Sequence, residues 1–141
     1  MLNNIASASV GGRITGGLGK TTGSIFAGGS LGPVSIHGTV IGGVNQDAGA
    51  IVSGAAMGAV AIGGNLKGSI GTHSGGISAG SSIASITVGG SIIGGDGTDS
   101  GSIISSILGS VMGGKGLESG SLVGTNKMSK VVIAGDLVGG N

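Results

Sequence analysis

Cysteine is absent from the 141 residues, so the chain holds no disulfide framework and no thiolate metal site. Tryptophan and tyrosine are absent too, and Phe26 is the only aromatic residue. A rounded core of ordinary thickness draws on aromatic bulk, so the interior of this protein has to be narrow. Aromatic platforms for single-stranded nucleic acid are lacking for the same reason. With a formal net charge of +1 there is no basic stripe to attract a phosphate backbone either, and no nucleic-acid partner is expected. Charged residues make up 8% of the chain, with Arg13 the single arginine and His37 and His73 the two histidines. The two histidines fall at unrelated places in the sequence pattern. No acid–base or nucleophilic constellation emerges, so the chain is not expected to be an enzyme, and no catalytic residue and no cofactor is expected.

What is present in excess is glycine, at 37 positions, against a single proline, Pro33. Each glycine costs ~1 kcal/mol against alanine in a helix interior, which excludes a helical protein. The glycines do not fall at every third residue, which excludes collagen. They recur instead at a long period. The stretch Gly75–Ser100 lies on Gly49–Ser74 when moved back 26 positions, and on Gly23–Ala48 when moved back again. The chain divides into Met1–Thr22 (a partial copy), Gly23–Ala48, Gly49–Ser74, Gly75–Ser100, a shortened Gly101–Ser119 and a partial Gly120–Asn141, forming one domain over 1–141.

Five columns of this alignment are always large and aliphatic. In the second full copy they hold Ile51, Met57, Val60, Ile62 and Leu66, and in the third Ile77, Ile83, Ile86, Val88 and Ile92. Alternation such as Val34, Ile36 has the two-residue period of a strand, and β-branched residues suit a half-buried pleated surface. Fixed glycine pairs such as Gly63-Gly64 and Gly42-Gly43 read as corners. Short strands joined by corners at a constant period specify an all-β parallel β-solenoid, or β-helix, with about one coil per 26 residues, its hand expected to be right. One copy cannot cover its own aliphatic face, so stacking is obligatory. The expected inward ladders are Val34, Val60, Ile86, Val131 and Ile36, Ile62, Val88, Ile107, Ile133.

Gly101–Ser119 is seven residues short of its neighbours. Alignment of its tail on the glycines matches Val111, Gly113, Gly114 and Glu118 to Ile92, Gly94, Gly95 and Asp99, and assigns Ile107 to the Val88 column. The loss is then expected near Ile103–Ser106, with the Leu31-type residue removed. The exposed column is expected to read Arg13, Thr39, Asn65, Ser91, Ser110, Asp136.

One column is polar in each of the first five copies: Thr21, Asp47, His73, Asp99 and Glu118. As a solvated corner it keeps polar groups off the core. As a site it offers Asp99 and Glu118 on adjacent coils as oxygen ligands for Ca²⁺. The run Gly94–Asp99 also matches the start of the GGxGxDxUx calcium repeat, but glycine (Gly101) stands where that repeat needs a large apolar residue, and calcium binding is not carried over from it.

The pattern GSI…GG…LG.V.IGG.L.GG, running the length of the chain, resembles the glycine-rich tandem repeats of bacterial surface and secreted β-solenoid proteins, both adhesin-like and filament-forming. The resemblance implies an extracellular or cell-surface structural role. Solenoid ends expose unpaired strand edges, and Ile5, Val10 and Ile14 at one end and Met128, Val131, Ile133 and Leu137 at the other remain in repeat register. The chain is therefore expected to stack on itself, head to tail, as a filament. The alternative is a fragment of an adhesin or other surface-binding solenoid. A third reading, a membrane glycine zipper over Ala48–Gly64 with its Gly54/Gly58 spacing, strands Arg13, Asn65 and Asp136 in lipid, so a membrane partner is not expected. Met1–Ile5 shows no basic start or apolar run of a secretory signal.

Overall fold

The computed structural model describes residues 3–113 and 122–133, which form twelve β-strands and no helix. The first coil contributes β1 (Ala8–Val10) and β2 (Ile14–Thr15). The next contributes β3 (Ile25–Ala27), β4 (Val34–Ile36) and β5 (Val40–Ile41), and the third β6 (Ile51–Ser53), β7 (Met57–Ile62) and β8 (Leu66–Lys67). Beyond these lie β9 (Ile77–Val88), β10 (Ile92–Ile93), β11 (Ile103–Gly113) and β12 (Leu122–Ile133). Each full coil therefore offers three strand segments to its neighbours. Every pairing is parallel: Ile25 with Ile51 and Ile77, Val34 with Val60 and Ile86, Val40 with Leu66 and Ile92. This is the expected parallel β-solenoid, in register at 26 residues through the first four coils.

Alternation decides what faces inward. In β4 Val34 and Ile36 are buried and Ser35 is exposed, and in β7 Val60 and Ile62 are buried while Ala61 is exposed. The core is a set of vertical aliphatic ladders, among them Ile36, Ile62 and Val88, none more than 2% exposed. Each such side chain contributes ~1.5–3 kcal/mol by burial. The narrow lumen explains why aromatics are dispensable, and Phe26 sits outside it.

Glycine pairs do mark the corners, chiefly because successive coils touch there. A Cβ at Gly63 would lie 2.3 Å from the His37 carbonyl oxygen of the coil beside it. The region Ala48–Gly64 is strand and corner, not the helix that a glycine zipper needs, and among the described residues no helix is long and apolar enough to cross a membrane.

The shortened coil departs from the expected alignment. β11 keeps the 26-residue register only at Ile103, Ile104 and Ser105, opposite Ile77, Ser78 and Ala79. From Ile107 onward the offset is 25, with Ile107 opposite Ser82, Leu108 opposite Ile83 and Val111 opposite Ile86. Ile107 thus does not take the Val88 column. Gly113 follows Met112, the partner of Thr87, and so stands at the level of Val88, opposite Ile133 on its other side. Leu108 keeps the Leu31-type column, so that residue is not lost. Only one position drops out between Ser105 and Ile107, and the rest of the shortening falls after Gly113. Val111 joins the Ile86 ladder rather than the Ile92 one, and Ser110 pairs with Ser85 and Lys130, so it leaves the Ser91 column. The physical reason is that an aliphatic ladder costs more to interrupt than a glycine corner, so register follows Leu108 and Val111 rather than the glycines. The Val34 ladder does continue to Val131, through Val111. Gly114, Glu118, Asp136 and Leu137 lie outside the described residues.

Candidate functional site: a polar corner ladder and an open stacking edge

The polar column stacks as the period requires. It occupies the corner between the third strand segment of one coil and the first of the next. Thr21, Asp47, His73 and Asp99 all have positive φ, between 53° and 55°, and each is followed two residues later by a glycine that also has positive φ. Left-handed backbone is tolerated best by glycine and by Asn, Asp and His, whose side chains bond locally. That restriction, not solvation alone, selects Asp and His here. The sequence showed which residues share the column but not that their backbone is left-handed.

Local hydrogen bonds hold the corner. The hydroxyls of Thr22, Ser74 and Ser100 accept from the backbone N–H of Gly17, Ser69 and Gly95 at 2.9–3.1 Å. Coil two has Ala48 at that position, and there the Gly43 N–H donates to the Ala48 carbonyl at 3.1 Å. The corner stacks on its neighbours through Asp47 N–H to the Thr72 carbonyl and His73 N–H to the Thr98 carbonyl.

Within the ladder the imidazole of His73 lies between two carboxylates. Its Nδ1 is 3.6 Å from Asp47 Oδ1 and its Nε2 3.5 Å from Asp99 Oδ2. These are polar contacts between partly exposed groups, longer than good hydrogen bonds. The two ring nitrogens face opposite carboxylates, so the three groups do not converge on one point. Among the described residues no group of three His, Cys, Asp or Glu side chains is arranged to hold a metal ion. Of the expected Ca²⁺ pair, Asp99 faces His73, and Glu118 lies outside the described residues. His37, by contrast, is an exposed residue of another corner.

The second candidate is the edge of the first coil. Among the described residues, β1, β2 and β3 are the outermost strands at this end. The Ala8 N–H donates to the Pro33 carbonyl, and the Val10 carbonyl accepts from the His37 N–H. Alternate residues of a parallel strand turn their backbone groups to opposite sides, so Ser9 between them presents its N–H and C=O away from the solenoid. Phe26 does the same between Ile25 and Ala27, which bond to the next coil. The ladders are open here as well. Ile5, Ala8, Val10 and Ile25 are only partly buried against the core, whereas Ile14 is buried.

At the far end β12 pairs with β11 and places Met128, Val131 and Ile133 opposite Leu108, Val111 and Gly113. Traced coil by coil, these are the columns of Ile5, Ala8 and Val10. The register thus carries the same columns from the first coil to β12.

An open groove of about 320 Å³ runs over three coils beside Ser35, Ala61 and Thr87, with His37, Gly63 and Gly89 along one side. No protein-family model, curated protein or solved structure matches this chain.

Proposed function

We propose that this chain is a structural protein that stacks end to end, coil on coil, into an extracellular filament. The observation that carries the reading is the first coil: strand edges turned outward above aliphatic ladders that are half covered. Such an edge is a template for another strand. A neighbouring copy supplies one whose register is already right, with Met128 on Ile5, Val131 on Ala8 and Ile133 on Val10. The contact joins unlike faces, so repetition gives a fibre unless rotation closes it into a ring. Its role is mechanical rather than catalytic.

Electron microscopy of the purified chain tests this. Fibres with an axial repeat of about five to six coils at ~4.8 Å each are expected, and Val10→Lys should suppress them. A stable monomer at high concentration overturns the proposal.

A second reading, a surface-binding solenoid of adhesin type, is favoured by the groove over Ser35, Ala61 and Thr87. In that case the open edge continues into further coils of a longer polypeptide. Binding of a glycan or protein surface lost in Ala61→Lys, from a chain that stays monomeric, would favour it.

A further inference from the structure

We propose that the outward face of β3, β6 and the leading parts of β9, β11 and β12 is a lateral contact between copies of this chain, pairing one end-to-end stack with another. The inference rests on the stacking reading above. The strand register sets Phe26, Val52, Ser78, Ile104 and Val123 in one outward column. Four of the five are large and apolar, with Phe26 58% exposed and Val123 37% exposed. Through the fourth coil the outward column of the adjoining sheet segment, Ser35, Ala61 and Thr87, is small and mostly polar, and only beyond it does the register bring in Met112 and Val132. A protein whose only aromatic residue stands on its surface, in line with aliphatic neighbours, has an uncovered face.

The face complements itself. At Ser78, with Gly76 beside it, the column has a hollow of about 10 Å³ bounded by Val52 and Ile104, room for one water at most. Phe26 and Ser78 stand two coils apart. A twofold axis lying in the plane of the contact, perpendicular to the stack axis and at the level of Val52, sets Val52 on the partner's Val52 and lays each Phe26 ring over the low point at the partner's Ser78. The contact is isologous, so it closes in pairs.

Area selects the occupant. The exposed apolar surface of the column is roughly 300 Å², against ~800 Å² per partner in a stable complex. Isolated copies therefore do not pair through it. A stack repeats the column along its axis, and linked contacts act together at high effective concentration. A second stack gains from that repetition, whereas an unrelated partner holding one copy does not. The Asp99 carboxylate, which borders the hollow at Ser78, also disfavours an anionic lipid surface.

The test is negative-stain electron microscopy with sedimentation of the full chain. Wild type should show paired stacks. Phe26→Lys should give single stacks of unchanged axial repeat, with the concentration needed for pairing raised at least about tenfold, equivalent to 1.4 kcal/mol. Ala61→Lys, on the adjoining face, should pair like wild type. Should Phe26→Lys melt abnormally, Val123→Lys reads out the same contact. Pairing that survives both variants overturns the inference. So do wild-type stacks that stay single at every concentration, a result that leaves end-to-end stacking intact. Single stacks that bind anionic vesicles through Phe26 reassign the face to lipid and overturn it as well. A wild type that forms no stacks overturns both proposals.

Discussion

The coils over Gly23–Ser100 and the coil that begins at Gly101 are built from the same residue types, yet they solve the stacking problem differently. In the regular coils the first and second strand segments are separated by a corner, as at Gly28, Gly29 and Ser30 between β3 and β4 or Gly54, Ala55 and Ala56 between β6 and β7. In β9 the equivalent residues are Gly80, Ser81 and Ser82, and the strand runs through them unbroken for 12 residues. In β11 one of those positions is gone and no glycine remains between Ser105 and Leu108, while the ladders on either side are kept. The corner absorbs a change of length and the aliphatic columns do not. Ile103 still stands in register with Ile77, and Leu108 with Ile83.

The sharpest way to break that comparison is one substitution made in both regions. Ile62→Asp buries an unpaired carboxylate in the middle of a ladder where the native side chain is 2% exposed, and a loss of about 4 kcal/mol or more is expected in a denaturant melt. Ile107→Asp should cost less than about half of that, because the register matches it to Ser82 and Lys127. Equal damage from the two would return Ile107 to the Val88 ladder and sink the register described above.

A smaller effect is expected at the corner glycines. Gly49 has φ of +72°, and a Cβ there would come within 2.1 Å of the Ile41 carbonyl oxygen. Gly49→Ala should lose ~2–3 kcal/mol, and a melting curve like wild type would show that the corner yields as freely as the one in β11.

Smaller again, and opposite in sign, is Thr21→Gly. A β-branched residue at φ of +54° is strained, and its release should raise stability by ~1 kcal/mol in the same melt. No gain would mean that the first coil accommodates Thr21 without strain.

The least effect belongs to His73→Asn, which keeps a residue suited to left-handed backbone and removes both carboxylate contacts. With His73 39% exposed, the change should stay under about 1 kcal/mol. A larger loss would make the ladder a structural clamp rather than a surface contact.

Most of the fold was legible because a 26-residue period writes every ladder several times over. Val34, Val60 and Ile86 needed no structure to be recognised as one column. The shortened coil occurs once, so its alignment had to choose between glycines and aliphatics, and the glycines misled at Ile107, Val111 and Ser110. The polar column of Asp47, His73 and Asp99 was visible as a column. Its left-handed backbone was not, because Thr21 in the same place is a poor advertisement for positive φ. The ladder positions of Ile5 and Val10 at the edge of the first coil were legible, whereas the outward column headed by Phe26 passed unnoticed. Inward and outward residues of a three-residue strand both read as apolar when, as in Ile25 and Phe26, neither is polar.

The constant register has a mechanical consequence. Hydrogen bonds from every segment of a coil run along the solenoid axis to the next coil, so a pull along that axis loads a whole coil's rungs together, while a pull on one chain end peels them in sequence. Each regular coil so detached would release about 26 residues of slack, roughly 90 Å at full extension. The molecule is in this sense a ruler whose graduations are coils, stiff when stretched and readable one step at a time when unwound.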